Sequence, residues 1–307
     1  MYATLFDKKY LSRGIAMIES LLSVDQDAAV CVLCLDIETE IAVRILGETS
    51  NVKPVTMIEI GTELIMKIRK ERHYREFCWA LSSVFCRYLL DNQKSEVIYI
   101  DADIYFFSDP KALVEECRVG DVAAIRHRFP ERLRHYEVNG MFNVQWVYFA
   151  NNEVGLKACA LWAEQCIACS SYSPEKGIVG DQKYLDEWPL LYRSFIDIQN
   201  LGAGVAPWNH EVLMPKKDKG KWTVVDGSSL IFFHFHGFKI VDEGNVSFAP
   251  KMYSKVERLP MDLYREYCFK LDRITQRFVL LADNPIIGDV SFRPSVFLKK
   301  FLVNMGH

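Results

Sequence analysis

The amino-acid sequence predicts an α/β protein with a mostly parallel central sheet flanked by helices. Short apolar segments alternate with longer segments of helical periodicity over residues 2–100, and this alternation is typical of βαβ units. Residues 97–100 are apolar without interruption, as expected for a strand that is buried on both faces of a sheet. Parallel sheets of this kind bind ligands beyond the carboxyl ends of their strands, so functional residues are expected directly after strands.

The spacing of apolar residues predicts strands and helices along the chain. Residues 2–6 predict the first strand, and residues 10–22 predict a helix because Leu11, Ile15 and Ile18 recur at helical spacing. Further strands are expected at 29–35, 55–60, 97–100, 122–126, 144–149 and 230–235, and further helices at 37–47, 62–71, 74–91, 153–169 and near 180–187. The lysine-rich stretch 210–228 is interpreted as an exposed hairpin or loop.

A change in composition near the C terminus predicts a domain boundary. From about residue 250 the pattern becomes helical, and the last segment is basic and aromatic. We therefore expect a main domain over residues 1–250 and a small helical appendage over residues 251–307. The appendage either contacts a membrane surface peripherally or packs its helices onto the core.

Composition excludes some classes of function. The 307 residues carry a net charge of -3, which gives no overall basic grip on nucleic acid. The first residues include Asp7, Lys8 and Lys9 instead of the apolar run of a signal peptide. Together with nine cysteines, an odd number, this predicts a cytoplasmic protein with free thiols.

Two pairs of cysteines have the spacing of metal ligands. Cys31 and Cys34 lie in a predicted strand, where residues three apart point to opposite faces and cannot share an ion. Cys166 and Cys169 lie in a predicted helix. Buried cysteines also behave as small hydrophobic residues, so we expect packing here, with a zinc site as the alternative.

Two carboxylates follow the buried strand directly. Asp101 and Asp103 come immediately after residues 97–100, and residues two apart in extended chain project to the same side. Two like charges at this distance repel each other unless a cation lies between them. Oxygen ligands favour a hard divalent cation such as Mn²⁺ or Mg²⁺. The alternative is a pair of solvated acids in a surface turn.

The segment from Arg87 to Asp103 resembles the retaining family 8 glycosyltransferases, which have the GT-A fold, and the similarity extends from Thr4 to about Lys239. The resemblance implies that Asp101 and Asp103 hold the cation that bridges the donor diphosphate, with Ala102 beside the donor. It also implies that Arg87 contacts the donor. The alternative for Arg87 is an ion pair with Asp91 one turn later.

The resemblance extends to further residues of the donor site. Residues 4–10 match the segment that binds the nucleotide base and ribose, which selects Thr4, Asp7 and Tyr10; a strand followed by the polar start of a helix is the alternative. Asn143 matches an F-N-x-G strand, although Gln145 replaces the usual glycine. Asp181 and Gln182 match a pair that lies near the transferring sugar, and Asp181 is otherwise an ordinary helix cap.

His234 follows another predicted strand and matches the third metal ligand of the family, with Gly237 at the expected spacing. The resemblance implies that a nearby lysine contacts the diphosphate, and Lys239 is the candidate. His236 lies two residues on and faces the same way; it is expected to replace or assist His234 as a ligand, with a contact to the acceptor as the alternative.

The sequence thus predicts a metal-dependent hexosyltransferase that acts with retention on a UDP-sugar donor and a saccharide or lipid-linked saccharide acceptor in cell-surface glycan synthesis. Two alternatives stay open. One is a nucleotidyltransferase, which would need a glycine-rich basic loop near the first strand. The other is a catalytically silent protein that binds sugar nucleotides or acts as a scaffold.

Overall fold

The computed structural model describes residues 1–70, 72–173, 178–240 and 246–282. The predicted appendage is therefore described only in part. Residues 283–307, which contain most of the basic and aromatic side chains behind the predicted membrane contact, lie outside the described residues.

The helices alternate with the strands of the main sheet in the first part of the chain. The α-helices are α1 (Leu11–Val24), α2 (Ile37–Gly47), α3 (Met57–Lys70), α4 (Tyr74–Gln93), α5 (Lys111–Cys117), α6 (Glu153–Ala168), α7 (Trp188–Leu191), α8 (His210–Leu213) and α9 (Met261–Ala282). Short 3₁₀ helices cover Glu131–Asn139, Gln182–Glu187 and Val256–Arg258.

The strands form one large sheet and several two-stranded pairs. They are β1 (Tyr2–Phe6), β2 (Val30–Cys34), β3 (Val52–Thr56), β4 (Val97–Ile100), β5 (Ile104–Phe106), β6 (Val122–Arg126), β7 (Phe142–Phe149), β8 (Tyr172–Ser173), β9 (Ile178–Val179), β10 (Phe195–Asp197), β11 (Lys216–Asp218), β12 (Lys221–Thr223), β13 (Phe232–His234), β14 (Lys239–Ile240) and β15 (Val246–Ser247).

The predicted fold class is confirmed by the main sheet. Its seven strands have the order β10-β6-β7-β4-β1-β2-β3, and only β7 runs antiparallel to its neighbours β4 and β6. Core clusters cover both faces of the sheet. Cys34 belongs to one cluster and Cys31 to the other, so these thiols do point to opposite faces. All nine cysteines are free.

The predicted strand at 55–60 is wrong in its second half. β3 ends at Thr56 and α3 begins at Met57. A hydrogen-bonded cap explains the switch: the backbone N–H and the hydroxyl of Thr56 both donate to Glu59 Oε2 at 2.7 Å. This pairing satisfies polar groups at the start of the helix, and it was readable as Thr-x-x-Glu in the sequence.

The C-terminal helix α9 packs against α1. Glu19 of α1 accepts hydrogen bonds from Lys270 at 2.8 Å and Arg277 at 2.6 Å, and Tyr264 and Tyr267 are buried in the core. Among the described residues, no helix combines the length and apolar character needed to cross a membrane. The boundary between domains at residue 250 stays a prediction.

Candidate active site

A cavity of about 740 Å³ opens beyond the carboxyl ends of β1 and β4. It occupies the place where the sheet topology predicts a ligand. Nine of the predicted site residues line it: Asp7, Tyr10, Asp101, Ala102, Asp103, Asn143, Asp181, Gln182 and His234. These residues come from distant parts of the chain, and the fold brings them to one cavity.

The two acids and His234 converge at one end of this cavity. β13 pairs with β5 so that His234 lies opposite Ile104, and the Phe235 N–H donates to the Asp103 carbonyl at 2.8 Å. His234 Nε2 consequently lies 3.1 Å from Asp103 Oδ1 and 3.8 Å from Asp101 Oδ2. The ligand atoms of Asp103, His234 and His236 all lie within 4.8 Å of one another.

Gln145 sets the orientation of the His234 ring. Its Oε1 lies 3.0 Å from His234 Nδ1, and an amide oxygen there places the proton on Nδ1. Nε2 then faces the oxygens of Asp103 and Asp101, and a protonated His234 donates a hydrogen bond to Asp103 from this atom. In neutral His234, Nε2 is an electron-pair donor beside two carboxylates, so this donor set fits a divalent cation.

The pKa shifts of these three groups also indicate that a positive charge is favoured between them. Burial raises the pKa of Asp101 to about 6. Burial also opposes charge on Asp103 and His234, yet their mutual contact outweighs it, raising the pKa of His234 and lowering the pKa of Asp103 to about 2. A proton shared in this cluster therefore occupies the position for which a cation would compete.

Asp7 and Tyr10 form the turn between β1 and α1. Asp7 Oδ1 accepts the backbone N–H groups of Lys9 at 3.0 Å and Tyr10 at 3.2 Å, and Asp7 Oδ2 accepts the Tyr74 hydroxyl at 2.7 Å. The Arg13 guanidinium lies 4.5 Å from the centre of the Tyr10 ring. The turn is therefore held rigidly at the cavity wall, and the nucleotide contacts of Asp7 and Tyr10 stay predictions.

Asp181 and Gln182 line the cavity beside Asn143 of β7. Burial raises the pKa of Asp181 to about 7, and its Oδ2 accepts the Ser82 hydroxyl at 2.9 Å. Gln182 Nε2 donates to the Asn139 carbonyl at 2.7 Å, while its Oε1 lies 3.3 Å from Asn143 Nδ2. The result is a hydrogen-bonded amide edge, a suitable lining for sugar hydroxyls.

Four predicted donor contacts do not line the cavity: Thr4, Arg87, Gly237 and Lys239. Arg87 pairs with Asp91 at 2.6 Å, which is the alternative arrangement and does not support a donor contact. Thr4 is fully buried in the sheet, with no hydrogen-bond partner for its hydroxyl among the described residues. Gly237 has a φ of 72°, and Lys239 is exposed on β14.

The structure adds lining residues that the sequence did not reveal. Arg75 lines the cavity at the start of α4, where its guanidinium lies 5.5 Å from the centre of the Trp79 ring. The sequence indicates the position of Arg75 only through the helical repeat, because Arg75 and Trp79 are four residues apart and share one face of α4. Four further rings line the opposite side of the cavity: His127, Phe129, Trp208 and Tyr253.

His127 is neutral and fixed in place. Burial lowers its pKa to about 3. Its Nδ1 lies 3.2 Å from the Met141 carbonyl, and its Nε2 lies 2.9 Å from Asn143 Nδ2. The first contact requires a proton on Nδ1 and the second an acceptor at Nε2, so the hydrogen bonds define one tautomer.

Comparisons with known proteins identify the family of this chain. The model of glycosyl transferase family 8 matches residues 2–150. The uncharacterized protein YfnF of Bacillus subtilis (strain 168) is 30% identical over 250 residues, covering 78% of this chain and 82% of YfnF. The chain therefore belongs to glycosyl transferase family 8 and is a glycosyltransferase.

Solved structures establish the GT-A fold. The galactosyltransferase LgtC, in complex with donor and acceptor sugar analogues, matches with a TM-score of 0.50 and 14% identity, covering 77% of this chain and 87% of LgtC. The glycosyltransferase GlyE of Streptococcus pneumoniae TIGR4 matches with a TM-score of 0.52 and 14% identity, covering 91% of this chain and 63% of GlyE. At this level of identity the similarity concerns the fold.

Proposed function

We propose that the protein transfers a hexose from a UDP-sugar to a saccharide or lipid-linked saccharide acceptor, with retention and with a divalent cation. The observation that carries the proposal is the approach of His234 Nε2 to Asp103 Oδ1 at 3.1 Å and to Asp101 Oδ2 at 3.8 Å. Such a set, which Gln145 orients, suits Mn²⁺ or Mg²⁺ and donor phosphate oxygens. LgtC was solved with donor and acceptor sugar analogues, and a cavity of about 740 Å³ offers room for both partners.

Each residue of the site has a chemical task in this proposal. A cation bound by Asp101, Asp103 and His234 would neutralise charge on the departing diphosphate. Arg75 lines the cavity and would add positive charge near the diphosphate. Arg87 does not line the cavity and pairs with Asp91 instead. Asp181 and Gln182 orient the hydroxyls of the transferring sugar, which aligns the reacting atoms before transfer.

The biological setting is part of the same proposal. The donor class and the family support synthesis of a cell-surface glycan of the lipopolysaccharide or capsule type, on the cytoplasmic side of the membrane. Residues 1–250 would form the catalytic domain and residues 251–307 an appendage that contacts the acceptor or the membrane surface. The tight ion pairs of Glu19 with Lys270 and Arg277 indicate that the described part of the appendage is fixed to the core.

Release of UDP from UDP-glucose and UDP-galactose, with and without Mn²⁺, tests the proposal. We expect Mn²⁺-dependent hydrolysis of at least one donor, lost in Asp103→Asn and kept in Asp218→Asn, which removes an exposed carboxylate from β11. If the protein binds the donor but releases no UDP above background, with or without Mn²⁺, the alternative of a silent sugar-nucleotide-binding protein is correct. Formation of UDP-sugar from UTP and sugar phosphate would instead identify a nucleotidyltransferase.

A further inference from the structure

The cavity has two chemically different ends. All of its carboxylate, lysine and arginine side chains come from the β1 and β4 ends, from α4 and from the segment after β9: Asp7, Lys9, Arg75, Asp101, Asp103 and Asp181. The described lining residues within 127–144 and 208–253 include no carboxylate, lysine or arginine. His234 falls within the second range but contacts Asp103 and belongs to the charged end. A donor diphosphate with its cation matches the charged end, whereas the aromatic part of the other end is suited to an uncharged ligand.

Four rings in mutual contact form the uncharged end, which we term the aromatic wall: His127, Phe129, Trp208 and Tyr253. Phe129 stacks on His127 with ring centres 4.7 Å apart and an angle of 8° between the planes. It also stacks towards Tyr253 at 6.4 Å and 26°. Phe129 and Tyr253 are half-buried, whereas His127 and Trp208 are buried behind them. Phe129 and Tyr253 are thus the more exposed rings of the wall, and both line the cavity.

Hydrogen bonds hold the aromatic wall in position. Trp208 Nε1 donates to the His127 carbonyl at 2.8 Å, and Arg132 Nη2 donates to the Tyr253 carbonyl at 2.8 Å. A rigid platform loses little conformational entropy when a ligand docks on it. The aromatic wall is therefore a preformed surface and not a loose cluster of exposed rings.

The aromatic wall adjoins the groups that handle the transferring sugar. The Trp208 ring centre lies 5.4 Å from that of His234. Asn139 and Gln182 also line the cavity, and Gln182 Nε2 donates to the Asn139 carbonyl at 2.7 Å. A ligand on the wall would therefore have aromatic faces on one side, amide groups at its edge and the reacting centre at its end.

These features together match one class of ligand. A hexopyranose has a face of C–H groups that packs on aromatic rings and a rim of hydroxyls that bonds amides. We infer that the aromatic wall binds the terminal sugar of the acceptor, and that this sugar is a neutral pyranose stacked on Phe129 and Tyr253. The inference rests on the proposed function, because it takes the charged end as the donor site.

Saturation-transfer difference NMR tests the inference on the whole chain with UDP and Mn²⁺ present. The probes are methyl β-D-glucopyranoside, methyl β-D-galactopyranoside and, as the charged counterpart, methyl β-D-glucuronide. We expect transfer to the ring C–H protons of one face of at least one neutral glycoside, and weaker transfer to the glucuronide. Phe129→Leu and Tyr253→Leu keep apolar volume but remove the ring, so each should weaken binding roughly three- to tenfold.

Phe269→Leu is the matched control, because Phe269 is an exposed aromatic residue on α9 outside the cavity lining. It should leave the NMR signals unchanged. The rise in melting temperature with UDP and Mn²⁺ should be equal in all variants, which shows that each is folded and binds the donor nucleotide. If UDP and Mn²⁺ do not raise the melting temperature of the wild-type protein, the proposed function itself is wrong.

Two results would overturn the inference while leaving the proposed function intact. In the first, UDP binds with Mn²⁺, but no neutral glycoside receives saturation that depends on Phe129 and Tyr253. In the second, the glucuronide binds as well as the neutral glycosides, which would mean that charge does not select the acceptor.

Discussion

Replacing Asp181 by asparagine should remove a pH-dependent loss of stability. Asp181 is 5% exposed, and burial raises its pKa from 3.8 to about 7. Ser82 has one hydroxyl proton and lies within hydrogen-bonding distance of both the Trp79 carbonyl (2.7 Å) and Asp181 Oδ2 (2.9 Å). A protonated Asp181 can donate to Ser82 while Ser82 donates to Trp79, so the neutral acid satisfies all three groups.

The sign follows from proton binding in the two states. Well below pH 3.8 the acid is protonated in both the folded and the unfolded chain, and it contributes no pH dependence. As the pH rises towards 7, the unfolded chain releases the proton and the folded chain retains it, so the free energy of unfolding decreases. The pKa difference corresponds to a loss of about 4 kcal/mol at neutral pH.

Urea unfolding of wild-type protein and Asp181→Asn at several pH values, without metal or nucleotide, measures this loss. The asparagine amide imitates the protonated acid as a donor to Ser82, so the variant should gain stability over the wild type as the pH rises. Asp218→Asn, at an exposed position, is the control and should follow the wild-type curve. Parallel curves for wild type and Asp181→Asn would refute the reasoning.

Two further changes test how the site is held. Gln145→Leu should weaken Mn²⁺ binding by about 10- to 100-fold, because His234 loses the acceptor that orients its ring. Gln145→Glu keeps an acceptor and should bind Mn²⁺ more tightly than Gln145→Leu. A Mn²⁺ titration followed by electron paramagnetic resonance measures both. Gly237→Ala should cost about 1–3 kcal/mol in urea unfolding, since its φ is 72° and the added Cβ would meet Pro250 at 2.6 Å. Gly220→Ala, with a φ of 84° and open space, should cost less, and equal costs would exclude the Pro250 contact.

The sequence predicts those parts of the fold that depend on local patterns. Residues 97–100 form a strand because a continuous apolar run is buried on both faces of the sheet. Asp101 lies at the edge of the sheet because it follows this strand directly. The strand expected at 55–60 was cut short by the Thr56–Glu59 cap, where local hydrogen bonding outweighed the apolar pattern. The fold class needed only the alternation of elements.

The side chains of the site were predictable only where a motif marks the end of a strand. Helical phase decides that Arg75 lines the cavity and that Arg87 does not, and this phase depends on how α4 packs. Phe129 and Tyr253 are distant in the chain and meet only through tertiary packing. No local pattern indicates such a meeting, so the aromatic wall required the structure.

In the proposed function, Asp101, Asp103 and His234 hold a cation that binds the donor nucleotide. The most direct measurement is the melting temperature with UDP, with Mn²⁺ and with both, for wild-type protein and Asp103→Asn. A ligand that binds only the folded state raises this temperature. The account predicts a rise with UDP that requires Mn²⁺ and disappears in Asp103→Asn but not in Asp218→Asn. A rise with UDP that is independent of Mn²⁺ and of Asp103 would contradict it.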